Sequence, residues 1–214
     1  MEYFLLYILV GVIVGLLSGL FGFGGAVIII PALVWIYASQ GMNNNLIMHM
    51  AAGTSLAIMI FTTASSFLGH IKRGAQVLPI YRRLVFGIII GTIIGSVAGH
   101  FIHSDILKIL FGLFILFVSV RIIFTREPVI TATEKLPKPI TTFILSCIIG
   151  VKSGLLGIGC GSISAALLSC WNVPIRNIIA ISAACSLTVA IVGSISYMLI
   201  GLSVHNLPAY TSRP

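Results

Sequence analysis

Residues Gly11–Pro31 read GVIVGLLSGLFGFGGAVIIIP, and a second stretch, Gly150–Trp171, reads GVKSGLLGIGCGSISAALLSCW. Aligned from Gly15, Ser18 falls on Ser153, Gly22 on Gly157 and Gly24 on Gly159, while Trp35 lands one residue from Trp171. Both stretches are apolar enough for lipid and too rich in glycine for one plain helix. A chain that breaks its helix at the same place in two halves reads as an internal repeat with a binding region at the breaks.

The rest of the composition supports a bilayer. The chain is 58% hydrophobic and only 7% charged, against about 25% charged in soluble domains. The expected fold is all-α, a polytopic transmembrane helical bundle with an internal repeat and broken helices at the glycine-rich motifs. The opening MEYFLLYILV lacks a basic n-region and reads as the first membrane segment. The net charge of +8 does not point to nucleic acid, because the basic residues cluster at the ends of apolar runs, where they orient the chain. Cys147, Cys160, Cys170 and Cys185 lie in apolar segments without a CxxC pair and read as small buried residues.

Residues 4–38 form one apolar run that would be about 50 Å long as a straight helix, against a hydrocarbon core of about 30 Å. It must break, and Gly22, Gly24, Gly25 and Pro31 supply the place. Further spans are expected over 46–69, 84–101 and 106–124, then a broken run over 140–171 and a span over 178–200. Gly87, Gly91, Gly95 and Gly99 line one face of the third span, where a neighbour can approach closely. The expected domains are 1–124, a first transmembrane repeat; 125–139, a cytoplasmic linker; and 140–214, a second repeat expected to be C-terminally incomplete by two spans. Loops 70–83 and 121–139 carry the basic residues and belong inside. Placing Arg176 inside as well requires run 140–171 to enter and leave on one side, which makes the two halves inverted.

Chemistry is expected at the glycine clusters. A helix that starts in mid-membrane points free N–H groups and a positive dipole end at its surroundings, so two facing starts suit an anion. The plain spacing of Gly11, Gly15 and Gly19 reads as helix packing instead. Lys152 lies about a dozen residues into an apolar run, and an ionisable side chain at that depth is costly. The four acidic residues, Glu2, Asp105, Glu127 and Glu134, all fall outside the spans, which argues against a cation channel or carboxylate-based proton pump. Ser18, Thr54, Ser55, Ser153 and Ser186 could hydrogen-bond an oxyanion or simply join helices. His49 could carry a proton or be hydrogen-bonded at a helix end. His100, His103 and Asp105 are weak evidence for a metal, and HExxH, GxGxxG and Walker A patterns are missing, so no metal, cofactor or enzyme activity is expected.

At SGLFGFGGAVIIIPAL (18–33), AAGTSL (51–56), SGLLGIGCG (153–161) and AACSL (183–187), the sequence resembles the sulfite exporter TauE/SafE family of membrane transporters. The resemblance covers nearly the whole chain. It implies an inner-membrane transporter of sulfite, sulfonates or other organic or sulfur-containing anions, with about eight spans in two halves. By position it makes 22–25 and 157–161 the central substrate region, with Cys160 standing where the family usually has glycine. The expected substrate-binding set is Ser18, Gly22, Gly24, Gly25, Thr54, Ser55, Lys152, Ser153, Gly157, Gly159, Cys160 and Gly161. The expected partners are a small anion and the lipid bilayer, with a homo-oligomer compatible with the sequence. The alternative reading is a truncated, non-transporting subunit or remnant.

Overall fold

Apolar runs separated by polar or glycine-bearing turns set where helices start and stop. The computed structural model describes residues 11–12, 25–42, 44–75, 77–124, 139–171 and 173–203. Within them the order is α1 Ala26–Ser39, α2 Asn44–Lys72, α3 Leu78–Phe101, α4 Ser104–Phe124, α5 Pro139–Leu156, α6 Gly161–Cys170 and α7 Ile175–Ser203, with no strand among the described residues. Ser18, Gly22, Gly24 and most of the linker lie outside the described residues. The stretches Leu46–Lys72, Leu78–Phe101, Pro139–Leu156 and Ile175–Leu202 are long and apolar enough to cross a membrane.

The pattern of exposed and buried side chains suits lipid. Phe61 is 78% exposed and Phe86 67%, whereas Ser55, Thr92, Ser96, Ser146 and Ser153 are fully buried. Large phenyl rings facing outward and hydroxyls facing inward are what a hydrocarbon solvent selects.

Three local expectations are corrected. Pro31 does not end a helix; it is an exposed residue inside α1, where the turn simply does without its N–H. Cys170 is exposed, although Cys160 and Cys185 are buried and Cys147 is half-buried, all four as free thiols. Helices α2 and α3 extend past the apolar spans because Pro79 sits at the first turn of α3 and the basic residues at these ends reach solvent.

The tightest contact is backbone on backbone. A Cβ on Gly91 would collide with the Cys147 carbonyl oxygen, and one on Gly95 with that of Val151. From the other side, a Cβ on Gly150 would lie 2.6 Å from the Ile88 carbonyl oxygen, and one on Gly154 would strike that of Thr92. The glycine face read from the α3 sequence thus meets a matching pair on α5. The successive contacts advance along both helices together, so α3 and α5 run parallel.

The carriers of the AAGTSL and AACSL motifs run the opposite way. A Cβ on Gly53 would lie 3.5 Å from Tyr197, and one on Gly193 3.0 Å from Leu56, so α2 and α7 are antiparallel. At their shared end, the Arg176 guanidinium lies 3.5 Å from where a Gly74 Cβ would be. Arg176 therefore stands beside the basic loop after α2, as the charge distribution requires. Helix α5 begins at that end too, since it parallels α3. The chain returns there through α6, where Trp171 and Val173 pack with Val77 and Ile80 at the start of α3. Run 139–171 is a hairpin with both ends on the basic side.

Two outcomes follow. Gly91→Ala should destabilise the protein by about 1–3 kcal/mol, because backbone cannot yield to the new methyl. Gly112→Ala, with open space around it, should not, and unfolding in detergent separates the two. In a background without the four native cysteines, Arg73→Cys and Arg176→Cys should react with an impermeant thiol reagent from the same side of the membrane; opposite-side labelling would contradict the hairpin.

Candidate functional site

The second glycine cluster interrupts the helix in a defined way. Gly157 adopts φ 68°, the left-handed conformation that ends α5. The Ile158 N–H then turns back to donate to the Ser153 carbonyl at 3.2 Å, a Schellman closure. Residues 158–160 are non-helical, and α6 restarts at Gly161 with Cys160 as its N-cap. In the first repeat, Gly25 adopts φ 72° and caps α1, which starts at Ala26. By the alignment that pairs Gly22 with Gly157, Gly25 pairs with Cys160 and Ala26 with Gly161. The two half-helices therefore begin at equivalent positions.

Packing sets both starts deep inside. Ala26, Met59, Leu156, Ile158 and Ala190 belong to one contiguous buried cluster. Gly157 lies against Ala52, with its would-be Cβ 2.6 Å from the Ala52 Cα, and a Cβ on Gly159 would strike the end of Met59. The Ser55 hydroxyl donates to the Gly157 carbonyl at 2.7 Å, with Ala52 O at 2.9 Å as its alternative acceptor. This bond satisfies a carbonyl that the ended helix leaves without a partner. The Cys160 thiol lies 3.5 Å from the Ser186 hydroxyl. One turn on, Ser164 donates to the Cys160 carbonyl at 2.7 Å and lies 3.1 Å from the Ser182 hydroxyl. The break is thus fastened to α2 on one side and α7 on the other.

Lys152 projects from α5 five residues before Gly157. Its Nζ is buried, finds no hydrogen-bond partner among the described residues and sits 4.1 Å over the Phe114 ring of α4. It lines an open groove of about 530 Å³ between α4 and α5 whose other walls are apolar, among them Leu110 and the exposed Leu113, Phe117 and Ile148. A cation over a ring gains at most about 2 kcal/mol, while burying an unpaired ammonium costs several. The contact alone does not offset the burial. The Ser153 hydroxyl is likewise buried and without a partner among the described residues.

The expected set is only partly assembled. Gly157, Gly159, Cys160 and Gly161 form the break, and Ser55 and Ser186 bind it directly. Lys152 and Ser153 lie on α5 about one turn before it. Thr54 points elsewhere, with its hydroxyl 3.2 Å from the Tyr37 hydroxyl, and it lines a separate cavity beside His49. Gly25 heads the other half-helix. The sequence reading missed Ala52, Met59 and Phe114, which touch the break or Lys152 but carry no pattern that separates them from other apolar core residues.

Ser55→Ala removes the donor to Gly157 and leaves that buried carbonyl unpaired. It should cost about 1–3 kcal/mol, read as a lower unfolding midpoint, whereas Thr62→Ala, whose hydroxyl only reaches the Met59 carbonyl within its own helix at 3.3 Å, should cost less.

Comparison with known proteins identifies the family. The sequence profile of the sulfite exporter TauE/SafE family matches residues 7–211. A probable membrane transporter protein of Haemophilus influenzae is 28% identical over 210 residues, covering 98% of this chain and 79% of that protein. One from Methanocaldococcus jannaschii is 31% identical over 213 residues, covering 98% and 78%. The probable membrane transporter protein YunE of Bacillus subtilis is 25% identical over 218 residues, covering 92% and 79%. No solved structure matches the chain. With a family match across almost its full length and multiple apolar helices, this chain is a multi-pass membrane protein of the sulfite exporter TauE/SafE family.

Proposed function

We propose that this chain is a secondary transporter of a small organic or sulfur-containing anion, such as sulfite or a sulfonate, in the cell inner membrane. The observation that carries the reading is the buried, unpartnered Lys152 amine one turn before a helix break. A charge left uncompensated in an apolar wall is stabilised when an anion arrives and destabilised again when it leaves, which is the differential that a carrier needs. The restarted helix at Gly161 adds N–H groups and a positive dipole end, and the start at Ala26 repeats them in the other half. Ser153 supplies an uncommitted hydroxyl. Ser55, by contrast, spends its proton on Gly157 and serves the ligand indirectly, by holding the break open.

The hairpin of α5 and α6 and the antiparallel pair α2–α7 support alternating access between inverted halves, in which one half rocks against the other. The absence of any carboxylate inside the described spans agrees with an anionic cargo.

Purified protein in proteoliposomes should take up or release sulfite or a sulfonate. Lys152→Ala should reduce that flux at least tenfold while insertion and helix content are unchanged, and Lys152→Arg should retain part of it. Undiminished flux in Lys152→Ala would remove the amine from the path. Flux by this chain alone would also exclude a non-transporting remnant.

A further inference from the structure

A second cavity, of about 520 Å³, lies between α2 and α7 at the end away from the basic loops. His49, Gly53 and Thr54 line it from α2, His100 from α3, and Ser194 and Tyr197 from α7. His49 Nε2 is 2.9 Å from the Gly99 carbonyl oxygen at the end of α3. A carbonyl only accepts, so Nε2 carries the hydrogen and neutral His49 presents a bare lone pair at Nδ1. That Nδ1 is buried and has no partner among the described residues.

None of the neighbouring polar groups described is bonded to that lone pair. Tyr197 shares its hydroxyl hydrogen between the Gly154 and Leu155 carbonyls, each at 3.2 Å. Tyr37 of α1 is engaged with Thr54. Helix α4 begins beside His49, where the Met48 N–H donates to the Ser104 hydroxyl at 3.2 Å. That end of α4 carries Asp105 and Lys108, which pair with each other at 2.9 Å on the surface, and the turn before it carries exposed His103. His100 is exposed in the last turn of α3. Lys152 of α5 is turned onto Phe114. No Asp or Glu lies inside the described spans, and half-buried His49 offers there an enclosed ring nitrogen with a free lone pair.

The same groups tie the cavity to the helix break. Tyr197 holds the last turn of α5, immediately before Gly157. Six residues along α2 from His49, Ser55 holds Gly157 itself. A positive charge appearing at His49 is therefore felt by helices that border the anion's path.

We propose that His49 Nδ1 is a proton-binding site that couples anion movement to a proton, entering from the side opposite the basic loops. The coupling rests on the transport reading above; the proton site does not. Two measurements separate them.

The first uses a chain in which His49 is the only histidine, labelled with ¹⁵N-histidine and held in lipid nanodiscs. Nδ1 should gain a proton as the pH is lowered, with Nε2 protonated throughout. An Nδ1 that stays bare down to the lowest pH at which the chain remains folded overturns the proposal. The second uses proteoliposomes with a trapped pH dye and a gradient of methanesulfonate, whose charge does not change with pH near neutrality. In the native chain, anion entry should acidify the lumen. His49→Gln keeps an N–H donor for Gly99 but cannot titrate; inserted as the native chain is, it should either move the anion with at least a tenfold smaller pH change or, where coupling is strict, move neither anion nor proton. Equal acidification in His49→Gln overturns the coupling. If the native chain moves no anion at all, the transport reading and the coupling fall together, and the ¹⁵N titration still decides the proton site.

Discussion

Everything near the break depends on two helices meeting without side chains between them. Where Gly87, Gly91 and Gly95 of α3 oppose Gly150 and Gly154 of α5, carbonyls and amides of one helix rest on those of the other. In lipid there is no hydrophobic force to drive such a contact, so dispersion between closely apposed backbones has to supply it. The contact also fixes the height of α5. Its last turn is pressed beside Gly99 and Tyr197, and the residues that follow fall against Ala52, Ser55 and Met59 rather than in lipid.

That placement is what makes an interrupted helix tolerable. Non-helical backbone at membrane depth survives only where protein satisfies it. Here the Schellman turn at Gly157 closes the end of α5 on itself, Ser55 takes the next carbonyl, and Ser164 takes that of Cys160. The carbonyls of Ser153, Gly157 and Cys160 are provided for, while the Lys152 amine and the Ser153 hydroxyl find no hydrogen-bond partner among the described residues.

The paired orientations give the bundle its logic. Helices α2 and α7 carry the same motif and run antiparallel, and each packs on the short half-helix of its own repeat. These two helices run in opposite senses, and each holds a short helix that begins at an equivalent position of the sequence alignment. The relatives are probable membrane transporter proteins, and antiparallel helices that carry a repeated motif are a common feature of transporter folds.

Much of this was legible in the residues. Hydropathy alone located the spans, since 20 apolar residues have few other destinations. The duplicated glycine pattern located the break to within the residues that form it, because glycine is needed where φ turns positive, as at Gly25 and Gly157. Charge placed Arg176 beside the loop after α2. The sequence could not say which helix the α3 glycines would meet, since spacing defines a face but not its partner. Nor could it tell Ser55, spent on Gly157, from Ser153, left free, because both are serines in apolar surroundings. That distinction, like the resting place of Lys152 on Phe114 and the bare nitrogen of His49, depends on contacts between residues far apart in the chain, and only their packing in three dimensions decided them.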